Sequence, residues 1–220
     1  MSVKCQIREY NILKQRLEEV KKAPSAVMKN LTADAVKRAP GWVATEVAKT
    51  YGVKKSEITG NKLGTVNVKG KRFNEVKIVY KGRVLTPTHF KMSPTAPKVG
   101  GSYTLKATII KGQRSTLGKV RKLTKKQRAE LARNFRREGE RRSDHSPVML
   151  MHTGNKEPGG TNYIPFQRKS VKRKDVHAVK TVSLPQMVSS DRTHDAIQAA
   201  ISEGMGKRLD HHMKRHGMID

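Results

Sequence analysis

Two short stretches hold the residue types of a reactive site: "GQRSTLGK" at residues 112–119 and "LDHHMKRH" at residues 209–216. A phosphate-cradling loop needs four residues between its glycines and a Ser or Thr after the lysine to reach Mg²⁺. Here five residues separate Gly112 from Gly118, and Val120 stands where the cation ligand should be, so nucleotide hydrolysis is excluded. In the second stretch His212 and His216 lie at i, i+4, the spacing that two metal ligands on one helix face would need, with Asp210 and His211 beside them. The stretch lacks the Glu of a metalloprotease helix, and Lys214 and Arg215 would repel a cation. A metal-dependent phosphoesterase would also need a cluster of aspartates, whereas Asp34, Asp144, Asp175, Asp191, Asp195, Asp210 and Asp220 are scattered. No catalytic set, cofactor or metal ion is therefore expected. The histidines are assigned to helix-end carbonyls or to an interface that their protonation would make pH-sensitive.

The strongest signal is charge. Lys and Arg number 47 against 18 Asp and Glu, a formal net charge of +29 over 220 residues. Residues 51–142 carry 25 of the basic and 5 of the acidic side chains, and residues 111–142 alone hold thirteen Lys or Arg against three Glu. Such a segment repels itself unless a polyanion or an acidic protein lies against it. The candidate contacts are Lys111, Arg114, Lys119, Arg121, Lys122, Lys125, Lys126, Arg136, Arg137, Arg141 and Arg142. There is no zinc-finger spacing, no aromatic-rich RNA-binding strand and no leucine zipper. With four Phe, five Tyr and one Trp, base stacking is a minor term, and any duplex DNA would be held through its phosphates. Charge alone also fits a free-standing nucleic-acid binder, associated with ribosomes or the nucleoid.

The elements that must position these residues give an α+β pattern: helices first, then a small antiparallel sheet, then a long terminal helix. An amphipathic helix is predicted over residues 7–22, within an N-terminal helical extension (1–22) to a single domain (23–217). A second helix, with Val27, Met28, Leu31, Ala35 and Val36 at helical spacing, is expected to stop at Pro40-Gly41 and to resume through Val43, Val47 and Tyr51. Trp42 at that break reads as a packing anchor. "TVNVKG", "NEVKIVYKGRVLT" and "SYTLKATIIKG" alternate apolar and polar residues as strands do, with Lys81-Gly82 as a hairpin turn and "MSPTAPKVGG" as a loop. Residues 119–126 read as a loop, and Thr124 with Gln127 as the capping box of a basic helix whose narrow stripe is Ala129, Leu131, Ala132 and Phe135. "SPVMLMHTG" is a further strand, followed by a turn-rich passage through "EPGGTNYIPFQRKS". The clearest element is terminal: Ile197, Ile201, Met205, Leu209 and Met213 at steps of four, capped from Ser189, Ser190 or Asp191 and stopped at Gly217.

Apolar residues make up 35% of the chain and aromatics 5%, enough for a modest core that neighbouring subunits or a polyanion would help to hold. Cys5 is alone, which fits folding in a reducing cytoplasm without disulfides. No apolar run reaches the ~18 residues of a membrane span, and no signal-peptide core stands at the N-terminus, so no membrane partner and no export by that route are expected.

The order of these features resembles a known family. Helices followed by "YGVKKSEI", then "GRVLTPTHFKMSP", a strand ending in "IIKGQRSTL", a Phe before "PVMLMHTG", then "YIPFQRKS", "VSLPQMV" and a terminal helix with "GKRLDHHMKR" are similar to the minor tail protein Z family, the lambda-like tail completion proteins of long-tailed phages. The likeness runs from Lys22 to Gly217. It is carried by Tyr51, Val53, Lys54, Lys55, Leu85, Phe90, Pro94, Lys111, Gly112, Phe135, Arg136, Pro165, Ser183, Pro185, Gln186, Met187, Lys207, Arg208 and Leu209. The chain departs from the family by its added N-terminal segment and by the charge of residues 119–142. The resemblance implies a non-enzymatic virion protein at the head-proximal end of the tail, made in the host cytoplasm. Its role would be tail completion or head–tail joining, with the genome end placed for ejection. It further implies a homo-oligomeric ring, six copies by tail symmetry, against tail terminator, tail tube, tape measure or head-closure proteins. Phe90, Pro165, Pro185, Met187 and Leu209 are then the expected assembly residues.

Overall fold

The structure is a computed structural model and describes residues 2–6, 24–73, 76–99, 101–120, 124–138, 148–155, 157, 160–168 and 175–219. The helix expected over residues 7–22 lies outside them. The fold is α+β, with small antiparallel sheets and a long C-terminal helix. Two compact units are present: Met1–Arg83 with Ser183–Asp220, and Val84–Val182 between them in sequence.

The first unit is built on two long antiparallel helices, α1 (Pro24–Thr50) and α5 (Asp191–Arg215). On α1 the residues Val27, Leu31, Ala35, Ala39, Val43 and Val47 recur at steps of four and are fully buried. The stripe expected on α5 is buried throughout, and Ser190 caps the helix, its Oγ accepting from the Arg192 N–H at 3.3 Å. The sequence breaks α1 at Pro40-Gly41, but the helix runs through. Pro40 removes one backbone donor, a loss on the order of 3 kcal/mol. Continuation of the helix is favoured because the apolar stripe runs in phase on both sides, from Ala35 and Ala39 to Val43 and Val47. Trp42 is the packing anchor it was expected to be: a Cβ on Gly204 of α5 would lie 2.7 Å from its Cε2 and Cζ2, so only glycine admits the indole there.

The sheet of this unit has the order β1-β3-β2, from β1 (Ser2–Gln6), β2 (Thr65–Lys69) and β3 (Lys77–Lys81). Along β3, Ile78 and Tyr80 are buried while Lys77 and Lys81 are exposed, as the alternation predicts. Two expectations fail here. Residues 2–6 form a strand instead of helix, because the free edge of β3 pairs with them, Val3 opposite Tyr80 and Cys5 opposite Ile78. Lys81-Gly82 is not a hairpin turn, since both partners of β3 come from earlier in the chain. Gly82 instead leads out of the sheet, its Cα side facing Leu63 O and Pro185. Two short helices, α2 (Lys55–Thr59) and α4 (Leu184–Val188), complete the unit. Ser183 and Gln186 form a capping box at α4: the Ser183 N–H donates to Gln186 Oε1 at 2.8 Å, and the Gln186 N–H to Ser183 Oγ at 3.4 Å.

The second unit holds two three-stranded sheets, β4-β5-β6 and β7-β8-β9. The first comprises β4 (Lys91–Ser93), β5 (Tyr103–Thr108) and β6 (Ser115–Val120); the second β7 (Met149–His152), β8 (Tyr163–Arg168) and β9 (Val176–Ala178). Met92, Leu105, Val148 and Val179 form its core, with Leu117, Val120 and Leu150 packed around them. Three stretches read as loop or turn are thus strand. Met92 and Ser93 pair with β5, Lys119 and Val120 extend β6, and residues 163–168 form the middle strand of the second sheet. Pro165 masked the last of these. Its pairing with Val179 keeps one of two possible bonds, the Val179 N–H donating to Pro165 O at 2.8 Å beyond the end of β9, where a missing donor costs least. The ends of the unit meet, with the Thr181 N–H donating to Leu85 O at 2.8 Å. The basic helix α3 (Lys125–Glu138) begins as predicted: the Thr124 N–H donates to Gln127 Oε1 at 3.2 Å and the Gln127 N–H to Thr124 Oγ1 at 3.3 Å. Ala129 is exposed, so the expected stripe of α3 is open at that position.

Candidate functional site

The hairpin that joins β5 to β6 explains why "GQRSTLGK" is no nucleotide loop. Lys111 and Gly112 make the turn, the Gln113 N–H donates to Ile110 O at 3.1 Å, and the chain continues into a strand where a phosphate loop would start a helix. Of the eleven cations expected to face a polyanion, Lys111, Arg114, Lys119, Lys125 and Lys126 are exposed, on the hairpin, β6 and the first turn of α3. Arg136 and Arg137 lie on α3. Arg121, Lys122, Arg141 and Arg142 fall outside the described residues. The second unit contains 23 Lys or Arg against six Asp or Glu, and fourteen of these cations lie among its described residues, so much of the cationic region belongs to a folded body. Lys91 and Lys106, absent from the expected set, are also exposed on its first sheet. The alternation in "YTLKAT", with Leu105 and Ala107 buried on either side of Lys106, was the signal that could have found the second of them.

A different cluster lies between α1 and α5. The Asp34 carboxylate accepts from Arg208 Nε at 2.5 Å, from Arg38 Nε at 2.9 Å and from His212 Nε2 at 2.8 Å. Because the carboxylate can only accept, His212 presents an N–H at Nε2, and its buried Nδ1 has no partner among the described residues. One turn on, Asn30 Nδ2 is 3.5 Å from His216 Nε2. The two histidines at metal-ligand spacing are thus each turned to their own group on α1. Among the described residues, no three His, Cys, Asp or Glu side chains come together as a metal site. Burial alone would raise the Asp34 pKa, but the hydrogen bonds from Arg208, Arg38 and His212 outweigh it and hold the carboxyl well below the usual carboxylate range. Nothing local in the sequence marks Asp34, whose partner Arg208 is 174 residues away.

A folded-state pKa below the unfolded value of about 3.9 gives stability that is complete above that pH and is lost as pH falls toward the folded value. Asp34→Asn should therefore flatten the acid side of the stability curve, read as urea midpoints below pH ~4. It should also cost about 2 kcal/mol at neutral pH, since Arg208 and His212 lose their anion while Arg208 keeps some access to water. An unchanged acid limb would remove Asp34 from the groups that hold the helix pair.

The five expected assembly residues are buried by the chain's own side chains: Phe90, Met187 and Leu209 are at most 2% exposed, and Pro165 and Pro185 are also buried. In this chain they hold the fold. No described helix is long and apolar enough to cross a membrane. No family model matches the chain, and no curated protein or solved structure matches it.

Proposed function

We propose that the chain is a structural virion protein of a long-tailed phage, a tail-completion component at the head-proximal end of the tail that helps to join the head and place the genome end. The observation that carries this reading is the ordered series of motifs resembling the minor tail protein Z family, spread from Lys22 to Gly217. The structure is compatible with it in a specific way. Several carriers of the resemblance, Tyr51, Val53, Leu85, Phe90, Met187 and Leu209, are buried and would preserve a fold, while Lys54, Lys55 and Lys111 are exposed. The strongly cationic second unit suits a position beside packaged DNA. In this reading the chain acts as a homo-oligomer, a hexameric ring, against terminator, tube, tape-measure or head-closure proteins.

The same charge supports a second reading, a free-standing nucleic-acid binder. Nuclease-treated protein sized by light scattering at high salt separates the two. A tail component should form a ring-sized oligomer or co-purify with tail proteins; a monomer that gains mass only on adding nucleic acid would favour the second reading. In phage, replacing Arg136, Arg137, Arg141 and Arg142 by Gln should leave tails assembled but lower head joining or DNA delivery by about tenfold, counting a kcal/mol or so for lost charge contacts. Full infectivity of that variant would remove these arginines from the function.

A further inference from the structure

We propose that the exposed face of the β4-β5-β6 sheet, with Lys91, Lys106 and Lys119 in one diagonal row, is a surface that grips the phosphate backbone of duplex DNA. The inference deepens the reading above and rests on its genome-adjacent placement.

The row is set by strand register. Ser93 lies opposite Lys106 and Lys91 opposite Thr108 across β4 and β5. Across β5 and β6, Lys106 lies opposite Thr116 and Thr104 opposite Lys119. Paired residues share a sheet face. One face is therefore Lys91 and Ser93, then Thr104, Lys106 and Thr108, then Thr116 and Lys119; all are exposed except half-buried Thr108. Each step along the row moves one strand sideways and two residues along, placing successive lysine Cα atoms roughly 8 Å apart and the outer two roughly 16 Å apart. The step between neighbours is about one Debye length at physiological salt, so adjacent ammoniums in the row still feel one another, while the outer two are largely screened.

Lys119 reaches this face only through an irregularity. The register between β5 and β6 shifts between Leu105 and Lys106, so that Leu117 is skipped. Without that extra residue Lys119 would fall opposite Tyr103, on the side of Leu105 and the core. The bulge at Leu117-Gly118 instead turns Lys119 outward beside Thr104.

The chemistry of the face selects the partner. It carries three ammoniums and four hydroxyls, and neither a carboxylate nor an aromatic ring. Without a ring there is nothing for an unstacked base to lie on, which argues against single strands. Without an apolar or aromatic anchor it lacks what a protein–protein hot spot is built from, which argues against an acidic protein. Point charges flanked by short hydroxyl donors suit phosphate oxygens, and they position a duplex without reading its sequence.

The test uses the full chain and a short random-sequence duplex, with binding followed by fluorescence anisotropy across a salt series. Lys91, Lys106 and Lys119 are replaced together by Gln, and separately the exposed Lys29, Lys37 and Lys62 of the first unit are replaced as a charge-matched control. The face variant should fold as the parent does by circular dichroism and flatten the slope of log K against log salt by up to about 2.7, at about 0.9 per phosphate contact. The control should leave the slope unchanged. Equal flattening by the control would show diffuse attraction and overturn the proposal. So would an unchanged slope in the face variant alongside a flattened one after replacing Arg136, Arg137, Arg141 and Arg142, a result that leaves the proposed function standing. A wild-type chain that binds no duplex even at low salt would overturn the genome-adjacent placement itself. Tighter binding to a single-stranded oligonucleotide, lost equally in the face variant, would overturn the choice of duplex.

Discussion

Leu209→Asp is expected to unfold the first unit. Leu209 is fully buried in the middle of the α5 stripe, between Met205 and Met213. Removing a core leucine costs about 2–5 kcal/mol, and an unpaired carboxylate in the space adds several more unless it takes up a proton. A domain of this size has a total stability of only about 5–15 kcal/mol, so the variant should show no cooperative transition from this unit in urea and lose protection of the α1 amides in hydrogen exchange. Leu209→Ala, losing only the side-chain contacts, should keep a transition shifted by about 3 kcal/mol. If Leu209→Asp melts where the parent melts, the α1–α5 pair is not what holds this unit together.

Gly118→Ala should destabilise the second unit by about 3 kcal/mol, a large effect for one methyl group. Gly118 has φ +149°, a conformation that residues with a Cβ rarely adopt. A Cβ there would also stand 2.4 Å from Val148 Cγ2, in a side chain only 1% exposed. The two causes can be separated. In Gly118→Ala with Val148→Ala the clash is relieved and the backbone cost stays, so the double variant should lose at least about 1 kcal/mol less than the sum of the singles. Strict additivity in chemical denaturation would mean that the steric contact with Val148 contributes nothing.

The sequence was most readable where one element carried a long, regular pattern. Five residues at steps of four announced α5, and Thr124 with Gln127 announced the start of α3. The alternation around Ile78 and Tyr80 announced β3. It was least readable where a single residue with a strong local preference was outvoted by its surroundings. Pro40 argues for a helix end, yet the buried stripe to either side keeps α1 whole; Pro165 argues against a strand, yet its missing donor falls at the ragged end of a sheet. Strands of three residues, such as β4 and β9, are too short to show a period. Of the candidate site, the abundance of cations was plain from composition, but their arrangement was not. Lys119 faces outward because of one skipped residue, and Asp34 finds Arg208 and His212 only through the pairing of distant helices.

The insertion of the second unit between β3 and α4 sets an order of events during translation. The apolar stripe of α1 emerges from the ribosome with no partner, because α5, which covers it, is made last. Roughly 140 residues separate the two helices, and at about 5–20 residues per second they take about 7–30 s to synthesise. By the end of that time every strand of the inserted unit has been made, ahead of α5, and the unit can close on itself, since its first and last segments meet at Leu85 and Thr181. The half-finished first unit meanwhile exposes Val27, Leu31, Val43 and Val47, a surface that a chaperone would hold and a neighbouring nascent chain would aggregate with. A message truncated before Asp191 would therefore yield a closed cationic unit carrying an uncovered greasy helix, a product for the cell's proteases and not a partial subunit.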